Sequence, residues 1–138
     1  MIKNTICSLL VFISFYSFSQ TEISNDDSLK QKQIYTYAEE MPEFPGGETE
    51  MYKFIIKKLE YPSEAINNKI EGIVYLKFTI LEDGTVSDIQ VVSKKILGYG
   101  LEEAAIAVIK KMPKWRPGKQ NGKPIPVYFN LPIRFRIS

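Results

Sequence analysis

Catalysis and metal binding draw on a few side-chain types, and this sequence is short of them. Histidine is absent and the only cysteine is Cys7. The common metal sites and nucleophile–base pairs therefore cannot be assembled. Adjacent carboxylates such as Asp26-Asp27 and Glu102-Glu103 lie in a polar leader and at the start of a helical pattern. Solvation and helix-dipole matching account for them without paired acid–base work. The short runs Gly98-Tyr99-Gly100 and Pro45-Gly46-Gly47 do not have the length or placement of phosphate loops. The reading is not an enzyme, and no cofactor is implied.

The chemistry that remains is backbone hydrogen bonding along a strand edge. The chain closes on "KPIPVYFNLPIRFRIS", residues 123–138. Its odd positions, Ile125, Val127, Phe129, Leu131, Ile133, Phe135 and Ile137, are all apolar. That is the period of a strand with one buried face. Pro124, Pro126 and Pro132 all fall on even positions. Successive strand residues point their N–H and C=O to opposite edges, so these prolines remove donors from one edge alone. The odd side keeps a full set for pairing, and the even side must be an outer edge. On that edge Tyr128, Asn130, Arg134 and Arg136 offer N–H groups. They are the candidate partner-binding residues. Two uses of such an edge stand open: docking of an extended segment, or protection against unwanted strand pairing.

The elements needed to hold that strand are legible upstream. Glu48 to Leu59 predicts a helix with Met51, Phe54, Ile55 and Leu59 on one stripe. Pro62 redirects the chain, and Ser63 is placed to cap a short helix. Gly72 to Leu81 predicts a strand with Val74, Leu76, Phe78 and Ile80 on one face. Asp83-Gly84 signals a two-residue hairpin, and the faulty alternation between Val86 and Ile89 signals a bulge in the return strand. Leu101, Ala104, Ala105, Val108, Ile109 and Met112 predict the clearest helix, stopped by Pro113. Trp115 to Gly122 reads as a loop. The sum is an α+β domain. Its three-stranded antiparallel sheet is ordered second–first–third, with the long helix on one face and an additional N-terminal helix.

The N-terminus reads differently. Residues 1–19 have one charge, Lys3, then an apolar run and small residues at Ser17 and Ser19. This is the plan of a signal peptide cleaved after Ser19; an uncleaved inner-membrane anchor is the other possibility. Residues 20–40 are polar and without period, as in a flexible leader, and the domain proper is expected over 41–138. The chain is therefore expected to be exported and periplasmic. Charge is divided sharply. Residues 20–103 hold 9 basic and 16 acidic side chains, whereas residues 104–138 hold 8 basic and none acidic. A basic last third suits an acidic partner. Nucleic acid fits an exported chain poorly.

Met41 to Ser138 resembles the TonB C-terminal domain family, in the form common among exported Bacteroidetes-type proteins. The resemblance is carried by "MPEFPGG", "EYPSEA", "EGIVYLKFTILEDGTV", "GYGLEEAAIAVIKKMPKWRPGKQNGKP" and "LPIRFRI", in that order. It implies a periplasmic module that engages the TonB box of an outer-membrane receptor by β-strand addition, in support of energy-coupled transport. The pairing strand would be Val127 to Phe135. The family's Tyr-Pro motif, near the docked segment, matches Tyr61-Pro62. Glu60 precedes it where the family often has glutamine, which adds a negative charge. The family's energy transducers need an anchor and a long spacer, but this leader of about twenty residues reaches at most ~70 Å. A free periplasmic adaptor and a self-associating module, a homodimer through the last strand, are the alternative readings.

Overall fold

Side chains branched at Cβ and aromatic rings crowd the segment after Glu71, and both favour extended backbone. The computed structural model, which describes residues 33–138, places a strand there. In chain order the elements are α1 (Glu48–Lys58), α2 (Ser63–Asn67), β1 (Gly72–Ile80), β2 (Val86–Val91), α3 (Leu101–Lys110), β3 (Gly118–Gln120), β4 (Lys123–Ile125) and β5 (Val127–Phe135). The main sheet is antiparallel in the order β2-β1-β5. This is the α+β arrangement expected, with β1 at the centre. Val74, Leu76, Phe78 and Ile80 of β1 are fully buried. They share one core with Leu131, Ile133 and Phe135 of β5, with Leu101, Ala105, Val108 and Ile109 of α3, and with Met51 and Ile55 of α1.

The β1–β2 connection is longer than a two-residue turn. Leu81 N–H donates to the Thr85 carbonyl and Gly84 N–H to the Leu81 carbonyl. Asp83 Oδ1 accepts the Thr85 N–H at 2.9 Å, which holds its carboxyl below the usual range. Gly84 has φ +86°, and a Cβ there would lie 1.9 Å from the Trp115 carbonyl oxygen. Trp115 N–H in turn donates to the Gly84 carbonyl at 2.8 Å. The loop is shaped by docking on Trp115, a long-range contact that the local Asp-Gly signal does not contain. The expected bulge is present, as a register shift opposite Lys77–Thr79 with Asp88 at φ +51°.

Three further local expectations need correction. Ser63 is the first residue of α2, not its cap; Pro62 holds the cap position, with no side-chain hydrogen bond. Proline's fixed φ suits that entry. The segment after Trp115 is not all loop, because β3 and β4 form a separate two-stranded hairpin. Consequently the last strand is broken at Pro126. Its first part pairs with β3 and its second with β1, since one edge cannot serve both partners in line.

The leader is also shorter than expected. Tyr35 bridges Val127 in parallel, Glu40 bridges Lys119, and Ala38 is fully buried. Backbone bonds in both directions between Glu40 and Lys119, and between Glu43 and Arg116, fasten the segment. Residues from Tyr35 on thus belong to the packed domain, because the start of β5 supplies partners for Tyr35, and β3 with the residues before it supplies them for Glu40 and Glu43. The signal segment and residues 20–32 lie outside the described residues. Among the described residues no helix is long and apolar enough to cross a membrane, and no cluster of acidic side chains could hold a metal ion.

Candidate functional site

The outer edge of β5 is set by its pairing with β1. Phe135, Ile133, Leu131, Phe129 and Val127 face Gly72, Val74, Leu76, Phe78 and Ile80 in register. Ile137 N–H, two residues past Phe135, donates to Glu71 Oε1 at 2.7 Å. The odd N–H groups therefore turn toward β1 and the even ones outward. Pro132 stands opposite Tyr75, where its missing donor costs β1 nothing.

Tyr128 is the one even position whose donor is taken. Its N–H donates to the Tyr35 carbonyl at 2.8 Å, and Tyr35 N–H donates to the Pro126 carbonyl at 3.0 Å. This corrects the expectation that Tyr128 offers a free N–H. Its ring is also engaged, with Lys77 Nζ 3.9 Å from the ring centroid as a cation–π pair. The open edge begins at Asn130. Asn130, Arg134 and Arg136 are exposed, and none makes a hydrogen bond or ion pair with another described side chain.

Two grooves meet at Asn130–Pro132. One lies on the core side of the edge, with a volume of about 330 Å3, walled by Phe44, Met51, Tyr52, Trp115 and Phe129 and rimmed by Glu43 and Glu48. Its aromatic wall is tightly coupled. Trp115 packs edge-on against Phe44, Phe78 and Phe129, with centroids 5.7, 5.8 and 4.9 Å away. The buried Trp115 Nε1 has no hydrogen-bond partner among the described residues. Arg116 and Glu43 form an ion pair that braces the groove's outer wall. The second groove, about 670 Å3, lies on the outer sheet face. An added strand would send alternate side chains to these two sides.

Glu60, Tyr61 and Pro62 sit elsewhere. They line a cavity of about 480 Å3 with Ala104, Ala107 and Val108 of α3 and with Lys111 just past its end, among others. Glu60 is paired with Lys111 at 3.6 Å. Tyr61 packs edge-on against Phe135, centroids 5.4 Å apart, and its hydroxyl donates to the Ile70 carbonyl. Burial, and secondarily the charge of Glu71, push its phenol pKa up. The structure thus joins this motif to the end of β5 through one ring contact and does not bring it to the grooves at Asn130–Pro132.

Sequence reasoning missed Tyr35, Phe44 and Trp115 as parts of this edge. The one available signal was aromatic content in segments otherwise read as leader, turn and loop.

A family model described as the C-terminal region of the Gram-negative bacterial TonB protein matches residues 57–137. The chain belongs to the TonB C-terminal domain family. Two solution structures of the Helicobacter pylori TonB C-terminal domain are similar to it. The one spanning residues 194–285 is 31% identical, covering 64% of this chain and 90% of that one, with a TM-score of 0.44. The one spanning residues 179–285 is 30% identical, covering 68% and 87%, with a TM-score of 0.45. No curated protein matches. The TonB-type match spans β1, α3 and β5. Tyr35, the Pro42–Phe44 wall and most of α1 lie upstream of it.

Proposed function

We propose that this TonB-family domain is a periplasmic protein-binding module that receives an extended segment of an outer-membrane receptor along β5. The observation that carries the reading is the open edge from Asn130 onward, flanked on both sides by apolar grooves. An edge that served only to repel strands would need no such walls. Main-chain bonds to Asn130, Arg134 and Arg136 supply affinity, and the grooves sort side chains. The positive charge of residues 104–138 draws an acidic segment toward the edge. Glu60, Tyr61 and Pro62 are assigned a secondary contact near the far end of β5, supported by the Tyr61–Phe135 packing. Delivery to the periplasm is assigned to residues 1–19, with cleavage after Ser19. The chemistry is recognition and not catalysis.

The test is an amide NMR titration of the exported protein with plug-domain peptides from the receptors of the same cell. Shifts are expected at Asn130, Arg134 and Arg136, with little change at Tyr128 until Tyr35 is displaced. Absence of shifts along β5 with every peptide overturns the reading. The intact mass of the exported protein should begin at Gln20; a species that retains residues 1–19 overturns the cleavage assignment.

A further inference from the structure

The outer face of the sheet is open to solvent, yet part of it is apolar. By register Tyr75 lies between Pro132 of β5 and Val92 just beyond β2, whose N–H donates to the Tyr75 carbonyl at 2.8 Å. Ile73, one step along β1, lies opposite Arg134. Leu97 closes the end of the groove, packed so tightly on Gly72 that a Cβ there would stand 2.8 Å from it. Tyr75 and Val92 remain 49% and 46% exposed, and neighbouring Ile96 64%. That is a contiguous apolar floor, not scattered surface residues.

Its rim carries one sign of charge. Lys94 and Lys95 line it and no carboxylate does; Arg134 stands on the same face. Among the described residues none of these three cations has an ion-pair partner. The groove is also continuous with the open edge of β5, since Asn130 and Pro132 line both. An extended polypeptide bonded along this edge at Asn130 sends every second side chain to the face that carries Pro132.

We propose that this outer groove selects acidic segments: the docked strand lays an aliphatic or aromatic side chain on Tyr75 and Pro132, with a carboxylate reaching Lys94 and Lys95. The inference rests on the edge-docking reading and adds to it the chemistry of the partner. On the rim of the core-side groove Glu43 is paired with Arg116, and Glu48 brings the opposite sign of charge. Direction and register of the docked segment are thereby set by charge as well as by shape.

The experiment uses the full chain and three synthetic nine-residue extended peptides. They share valines on one face and a central valine on the other, and carry Glu, Gln or Lys two residues to either side of that central valine, so that the aliphatic and the varied side chains enter the same groove. Binding is read by fluorescence anisotropy. The Glu peptide is expected to bind most tightly, and amide NMR spectra of its complex should show shifts at Tyr75 and Ser93–Leu97. The exposed charge reversal K94E/K95E should weaken the Glu peptide about tenfold, leave the Gln peptide within about twofold, and improve the Lys peptide. Asn130→Pro removes an edge donor and should weaken all three. If Asn130→Pro acts but K94E/K95E changes no peptide, the outer groove is not used and this inference fails alone. If Asn130→Pro changes nothing, edge docking fails and takes the inference with it. Binding of phosphatidylglycerol vesicles, lost in K94E/K95E, without binding of any peptide, would assign the face to lipid and overturn the proposal.

Discussion

Gly84 tests how the hairpin loop supports the docking edge. Its φ of +86° puts it where an L side chain is strained, at about 1–2 kcal/mol. The Cβ of alanine would also lie 1.9 Å from the Trp115 carbonyl oxygen, which is backbone and cannot swing aside. Relief requires the loop or the Trp115 segment to move, and the Trp115 N–H to Gly84 bond goes with it, at about 1 kcal/mol net. Gly84→Ala should therefore cost about 2–3 kcal/mol, the sum of strain and the lost bond. Gly122 is the control, with φ +75° and nothing within 4 Å of a Cβ. Gly122→Ala should cost the strain alone, about 1–2 kcal/mol. The two variants differ by the lost bond, and for a domain of this size 1 kcal/mol shifts the midpoint by about 4–8 °C, so Gly84→Ala should melt about 4–8 °C below Gly122→Ala. The assay is thermal unfolding followed by fluorescence of Trp115, the only tryptophan. Its emission should already be altered in native Gly84→Ala. Melting points within about 2 °C of each other would refute the claim that close approach, beyond φ, fixes this loop.

Three further outcomes follow from named contacts. In amide hydrogen exchange Tyr128 should be protected while Asn130 and Arg134 exchange freely. Tyr35→Pro, which deletes the donor to Pro126, should lower Tyr128 protection about fivefold, the equivalent of one hydrogen bond; an unchanged rate would show that the leader does not cover the edge. Ile133→Ala, at a fully buried position beside Val74, should destabilise by about 2–5 kcal/mol in urea unfolding, and a loss below about 1 kcal/mol would deny Ile133 its place in the core. Tyr61 has a raised phenol pKa, so its contribution is complete below pH 10 and is lost as pH rises through the folded-state value. The urea midpoint should fall more steeply above pH 10 in the unmodified protein than in Tyr61→Phe, and parallel curves would remove Tyr61 from the linkage.

The period-two run from Ile125 to Ile137 determined which face of the last strand is buried. The even parity of Pro132 determined which edge of β5 is outer. Both are local properties of a pleated chain, where side chains and N–H groups alternate with every residue, and both hold in the structure. The stripe of Leu101, Ala105, Val108 and Ile109 fixed α3 in the same way. Tertiary structure alone decided who occupies that edge. Tyr35 takes the Tyr128 N–H across 93 residues of chain, and Trp115 reaches Gly84 and Phe44 to shape the groove. The break at Pro126 exists because β3 and β1 compete for one continuous strand. Such choices depend on which distant segments meet, and a pattern of alternating residues carries no record of that. The outer groove is of the same kind: Tyr75 and Pro132 come from two strands, Val92 and Leu97 from the segment after β2, and only the register of β2, β1 and β5 makes them neighbours.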